Sequence, residues 1–297
     1  MTCEFAKYEA LGNDYLVLDP ARITFPVTAA TVARLCDRHR GVGGDGVLYG
    51  PWFEGDAVRL RIFNSDGSEC EKSGNGLRMF ARYLRERGHV AQDRFVLRTV
   101  AGDAAVEVVD LAAGVFTVAM GTATFDRERI PATGAGRQLL DEPIEVGGET
   151  VRIGCVHVGN PHCVVLEGHC ARDHALRLGP ELSRHPMFPR GINVQFVRVR
   201  DRRHVEAEIW ERGSGYTLAS GSSACAIASV LHALGRVDPE ITVHMPGGQL
   251  AVTIAPSREI SLTGEARAVA SGQLAPGLVR QLTALGAPAG ARAQETP

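Results

Sequence analysis

The chain repeats itself at a fixed distance. Gly12-Asn13-Asp14 returns as Gly159-Asn160-Pro161, and Ser73-Gly74 returns as Ser220-Gly221, both 147 positions later. Arg61-Ile62-Phe63-Asn64 falls at the same offset on Glu208-Ile209-Trp210-Glu211, an aliphatic-aromatic-polar run in each case. Short glycine-containing pairs recur by chance, but three matches at one offset, close to half of the 297 residues, do not. The spacing predicts two similar halves with a pseudo-twofold relation, and a site where the halves meet.

Local patterns agree with a duplication. Val58–Ile62 and Val205–Ile209 alternate with period 2, so each reads as a half-buried strand. A glycine-rich turn follows each strand (Asp66-Gly67-Ser68; Gly213-Ser214-Gly215), then the Ser-Gly pair, then a helix. In the first helix Leu77, Phe80, Ala81 and Leu84 sit at i, i+3, i+4 and i+7, and Gly88 is placed to stop it. The second runs from Ser223 through Leu234 and closes at Gly235. Further strands are expected at Val47–Tyr49, Phe95–Thr99, Ala105–Val109, Val115–Ala119, Val151–Val158, Cys163–Leu166, Val194–Arg198 and Leu250–Ile254, and a helical stretch at Thr31–Arg40. Many strands and few helices imply an α+β fold with two pseudo-symmetric halves and mostly antiparallel sheets. The boundaries fall near 1–119 plus 268–285 for the first half and 120–267 for the second, with 286–297 a disordered tail rich in Ala, Gly and Pro.

Composition excludes several classes. A net charge of −2 without a basic tract argues against nucleic acid as a partner. No apolar run reaches the ~18 residues of a membrane span, and Met1–Tyr8 lacks a signal-peptide layout, so the expected location is cytoplasmic and away from membranes. The seven cysteines are expected to be reduced and mostly buried, Cys225 among them. Of 32 basic residues only Lys7 and Lys72 are lysines, which leaves a pyridoxal phosphate enzyme two Schiff-base candidates; no cofactor is expected. Gly41-Val-Gly43-Gly-Asp-Gly46 spells a dinucleotide fingerprint, but it follows a helix and leads into a strand, the reverse of the required order, and reads as a backbone turn. Cys155, His157, His162, Cys163, His169, Cys170 and His174 crowd one stretch, yet no pair has clean zinc spacing, so no metal is expected.

The paired Ser-Gly turns carry the chemistry. A helix that starts directly after a glycine turn presents unpaired N–H groups and a positive dipole end, which hold a carboxylate without a cationic side chain. Two such ends, at Gly74-Asn75-Gly76 and Gly221-Ser222-Ser223, with Ser73 and Ser220 flanking, suit an α-amino acid. Two proton carriers on opposite sides of Cα invert the stereocentre. The alternative is that both serines are plain N-caps, a position Ser favours.

The chain resembles the diaminopimelate epimerase family from Phe5 to about Ala275. The likeness lies in Leu11-Gly-Asn-Asp14, Gly41–Leu48, Phe63-Asn64-Ser-Asp-Gly67, Gly74-Asn-Gly-Leu-Arg78, Gly159-Asn-Pro-His162, Asn193-Val194 and Glu211-Arg212-Gly213. The resemblance implies a fold in which each half wraps a sheet around a central helix. It also implies a homodimer and a pyridoxal-independent epimerase that converts LL- to meso-diaminopimelate for lysine and peptidoglycan synthesis. By the same resemblance Asn13, Asn64, Asn160, Asn193, Glu211 and Arg212 bind substrate, and Gly74, Asn75, Gly221 and Ser222 hold the α-carboxylate. His162 and Glu211 assist the two proton carriers. The family pattern has cysteine before each glycine; here those positions are Ser73 and Ser220, Tyr216 replaces the Glu of G-E-T-L, and Ser223 replaces a glycine. An alcohol is a far weaker acid than a thiol, which titrates near about 8.5. The expectation is a slow or inactive epimerase. The serines fit either an inactive double variant or a natural homologue, and Tyr216 and Ser223, which no thiol removal requires, favour the homologue. Its open alternatives are another amino acid, a dehydratase or isomerase reaction, or binding without catalysis.

Overall fold

The computed structural model describes residues 3–166 and 170–287. The chain forms two compact units: the first ends at Phe116 and resumes at Glu265, and the second is Thr117–Gly264. The first unit comprises β1 (Glu4–Ala10), β2 (Asn13–Leu18), α1 (Ala29–Cys36), β3 (Gly46–Glu54), β4 (Ala57–Asn64), β5 (Glu69–Cys70), α2 (Gly74–Glu86), β6 (Arg94–Thr99) and β7 (Gly102–Asp110). Strand β8 (Val115–Thr122) leads into the second unit, which comprises β9 (Glu142–Val146), β10 (Glu149–His157), β11 (Pro161–Val165), α3 (Arg172–Ser183), β12 (Asn193–Val199), β13 (His204–Glu211), β14 (Gly215–Thr217), α4 (Gly221–Ala233), β15 (Glu240–Met245), β16 (Gly248–Ile254) and β17 (Glu259–Glu265). The chain then returns to the first unit with β18 (Arg267–Gln273), antiparallel to β1, and α5 (Pro276–Gly286), whose Leu282 joins the cluster around Val32 and Leu35 of α1.

Both units are mixed sheets of the same design. β2 and β3 run parallel with Tyr15 opposite Gly46; β11 and β12 run parallel with His162 opposite Asn193. β3 and β4 are antiparallel with Val47 opposite Phe63; β12 and β13 are antiparallel with Val194 opposite Trp210. Every one of these residues stands 147 positions from its counterpart, so the repeat read in the sequence holds at the level of strand register. The helices α2 and α4 obey the same offset and have the same length of 13 residues.

Each of these helices is largely buried in its unit. On α2 Leu77, Phe80, Ala81 and Leu84 are fully buried, and only Arg82, Arg85 and Glu86 reach toward solvent. α4 is buried throughout from Ala224 to Leu231, and the one hydroxyl in that stretch, on Ser229, is satisfied inside the helix by the Cys225 carbonyl at 2.7 Å. Both end two residues before a left-handed glycine, Gly88 at φ +70° and Gly235 at φ +67°.

Three differences from the sequence reading have local causes. α1 begins at Ala29, capped by Thr28, and stops at Cys36, because the Asp37 carboxylate takes the His39 and Arg40 amides into a turn. α3 gives no sequence signal: it has no side-chain cap and contains Pro180. Gly286, the expected start of the tail, is instead the last residue of α5; residues 288–297 of that tail and His169 lie outside the described residues. Among the described residues no helix is long and apolar enough to cross a membrane.

Close packing of α4 on the sheet depends on Gly154 of β10, where a Cβ would stand 2.4 Å from Val230 Cγ1. Valine cannot swing away on a helix, because its χ1 is fixed by β-branching. Gly154→Ala is therefore expected to destabilise the protein by about 1–3 kcal/mol in urea unfolding. Val230→Ala in the same chain should recover much of the loss, and strict additivity of the two substitutions would contradict the contact.

Candidate active site

Every residue assigned to the site by sequence falls at the start of a buried helix or at, or one residue from, a strand end. In the first unit Ser73 is the N-cap of α2: its Oγ accepts the Gly76 N–H at 3.0 Å, and its carbonyl accepts the Leu77 N–H at 2.8 Å. The first-turn N–H groups of Gly74 and Asn75 have no acceptor within the helix. The fully buried Arg78 donates to Asn75 Oδ1 at 2.8 Å and to the Gly74 carbonyl at 3.1 Å. Asn75 Nδ2 donates to Asn13 Oδ1 at 3.3 Å, and Asn13 Nδ2 to Asp45 at 2.9 Å. Arg38 ties Asp45 to Asp14, whose carboxyl also meets Lys7 at 2.8 Å. Burial alone would raise Asp14, but hydrogen bonds from Arg38 and Lys7 overcome it and hold the carboxyl down at about 2. Asn64 stands apart from this chain of bonds, exposed at the end of β4, where it donates to Ser68 Oγ at 2.9 Å.

The second unit repeats the cap and adds a carboxylate. Ser220, 6% exposed, caps α4 by accepting the Ser223 N–H at 3.4 Å, and Ser222 Oγ lies 3.4 Å away. Glu211 closes β13 on the side of Ser220. Desolvation raises its carboxyl above the ordinary value, and the nearby Ser220 hydroxyl partly offsets this. A hydroxyl has one proton and two lone pairs, so accepting from the helix leaves the Ser220 proton free to be donated. Capping and proton transfer are thus compatible at this residue. Within its own unit, among the described residues, Ser73 has no such carboxylate or imidazole partner.

His162 is fully buried on β11 with both ring nitrogens engaged: Nε2 with Asn160 Oδ1 at 2.7 Å, Nδ1 with Gln195 Nε2 at 3.0 Å. Burial lowers its pKa to about 3, so the ring is neutral. Asn193 accepts the Arg212 N–H at 2.9 Å and donates to the Pro161 carbonyl at 3.1 Å, fixing the turn on which the exposed Arg212 stands. The Arg212 guanidinium donates to the Arg190 and Gly191 carbonyls.

Gln195, Arg78 and Asp45 belong to these networks but not to the residues chosen from the sequence. Gln195 did leave a trace, as the one polar residue in the run Val194–Val197. In the cysteine- and histidine-rich stretch Cys155 and Cys163 pair across β10 and β11, both buried free thiols, and among the described residues no group of three or more His, Cys, Asp or Glu is placed to hold a metal. The Gly41–Gly46 segment is a turn whose Gly43 carbonyl accepts Lys7 Nζ at 2.9 Å.

The neutral His162 makes stability depend on pH. Its folded pKa lies below the value of about 6.5 for an unfolded histidine, so its contribution is complete above that value and is lost as pH falls toward about 3. Urea stability should fall by up to about 1.4 kcal/mol per pH unit from this group below about pH 6. His162→Gln should remove that part of the slope; an unchanged pH profile in the variant would refute the assignment.

The family model for diaminopimelate epimerase matches residues 5–125 and 154–269. "Diaminopimelate epimerase 2" of Nostoc sp. is 43% identical over 272 residues, spanning 91% of this chain and 95% of that protein. The diaminopimelate epimerase of Moorella thermoacetica is 39% identical, spanning 88% and 95%. Among solved structures, a hydroxyproline epimerase from Agrobacterium vitis superimposes with a TM-score of 0.63 at 18% identity, covering 95% of this chain and 97% of that one. A PhzF-family phenazine biosynthesis protein from Bacillus anthracis does so with a TM-score of 0.65 at 16% identity, covering 93% and 99%. These last two share the fold. With two mixed-sheet units built to one register around serine-capped helices, and with this identity along most of its length, the chain belongs to the diaminopimelate epimerase family of isomerases.

Proposed function

We propose that the chain epimerises diaminopimelate between the LL and meso forms by proton transfer at Cα without a cofactor. Ser73 and Ser220 stand at the two proton-carrier positions, and the α-carboxylate lies on the N–H groups of Gly74, Asn75, Gly221 and Ser222. The observation that supports this most is the recurrence of one device at matching positions, a serine-capped helix start whose first two N–H groups have no helical acceptor, with the desolvated Glu211 carboxyl near one of the serines. An anion is the partner such an end favours. Asn13, Asn64, Asn160, Asn193 and Arg212 take the rest of the substrate, Arg212 forking onto the distal carboxylate. His162 and Glu211 assist the serines. The same reading carries the homodimer and the cytoplasmic location.

A hydroxyl exchanges protons with carbon far less readily than a thiol does, so the reaction is slow. Ser220 has a carboxylate to take its proton, whereas Ser73 in its own unit serves the helix, an asymmetry that favours weak exchange or binding alone over fast two-sided chemistry.

Deuterium incorporation at Cα of diaminopimelate in D₂O tests this. Ser73→Cys with Ser220→Cys should raise exchange by orders of magnitude; a thousandfold gain corresponds to about 4 kcal/mol in the barrier. Rapid exchange by the serine protein, left unchanged or abolished by the two cysteines, would point to a serine chemistry different from this proposal.

A further inference from the structure

The repeat supplies an internal comparison. Tyr15, Leu48 and Gly76 of the first unit correspond to His162, Gln195 and Ser223 of the second at the 147-residue offset. In the first unit the Leu48–Gly76 contact is apolar and tight: a Cβ on Gly76 would lie 3.0 Å from Leu48 Cδ2. In the second unit the same contact is a hydrogen bond, Gln195 Nε2 to Ser223 Oγ at 3.0 Å, with both residues fully buried. A buried polar pair costs desolvation that its apolar twin does not. The feature that accompanies the polar pair is His162, 3.0 Å from the same Gln195 nitrogen.

The direction of these bonds follows from the Gln195 oxygen. Oε1 is buried with no partner among the described residues. Turning the amide over would place an NH₂ group there and orphan two donors instead of one acceptor, the more costly arrangement. Gln195 therefore donates to both Ser223 Oγ and His162 Nδ1. With its Nδ1 lone pair so engaged, the neutral ring has its proton on Nε2 and donates to Asn160 Oδ1 at 2.7 Å. Asn160 is left with Nδ2 as its remaining polar group, a donor without a partner among the described residues.

We infer that Gln195 and Ser223 are positioning residues that lock the His162 tautomer and thereby turn Asn160 so that it offers ligand an N–H rather than a carbonyl. Asn160 in this state recognises a carboxylate or carbonyl oxygen and rejects an ammonium group. The ligand part rests on the proposed role of Asn160 in substrate binding; the tautomer lock does not.

Side-chain ¹⁵N NMR of the full chain reads the lock directly. Nδ1 of His162 should be bare and Nε2 protonated; a protonated Nδ1 overturns the inference. Gln195→Leu with Ser223→Gly installs the pair that already packs in the first unit, and a protonated Nδ1 population should then appear. Unchanged nitrogen shifts in that variant overturn the lock. Asn160→Asp keeps the acceptor for His162 but replaces the outward donor with a carboxylate oxygen. It should weaken diaminopimelate binding by calorimetry at least tenfold, and equal or tighter binding overturns the donor orientation. If the unmutated protein binds no diaminopimelate, the substrate assignment fails while the nitrogen spectra still decide the tautomer.

Discussion

A helix buried at its N-terminus must satisfy first-turn N–H groups that have no partner inside the helix. Each unit of this protein buries such a helix, and each meets the demand in the same way, with a serine hydroxyl on the third amide. The capped amide is withdrawn from use and the two before it remain, close together and at the positive end of the dipole. The apolar stripe that buries the helix, the glycine that ends it and the strands that pack on it serve to hold that end in place.

From this common frame the two units diverge in polarity. The first orders its asparagines through charge: buried Arg78 holds Asn75, Asn75 holds Asn13, and Asn13 rests on Asp45. The counterpart of Arg78 in the second unit is Cys225, an apolar core residue, and ordering passes instead through the neutral set of Ser223, Gln195, His162 and Asn160. Duplication kept the backbone and let the polar wiring change, since strand register tolerates side-chain exchange whereas backbone pairing does not.

The serines set the chemical ceiling. A helix end lowers the pKa of a thiol into a useful range, but an alcohol starts too far above it for the same field to suffice. Near Ser220 stands the Glu211 carboxyl, raised above its ordinary value by desolvation.

The sequence by itself determined the duplication, the fold class and the two helix ends, because capping residues, stop glycines and period-2 or period-3.6 patterns act over a few positions. It also marked Gly41–Gly46 as a backbone turn, from the order of the helix before it and the strand after it. Strands such as β18, exposed along its whole length, escaped because a strand without a buried face has no alternation to read. α3, uncapped and carrying Pro180, escaped for want of boundary signals. Only the tertiary structure decided which polar groups meet. Gln195 reaches His162 across 33 positions and Asn75 reaches Asn13 across 62, through the parallel pairing of neighbouring strands and the docking of a helix on them. Hydrogen bonds are directional and short-ranged, so partners so distant in the chain become visible only when the sheet register has brought them together.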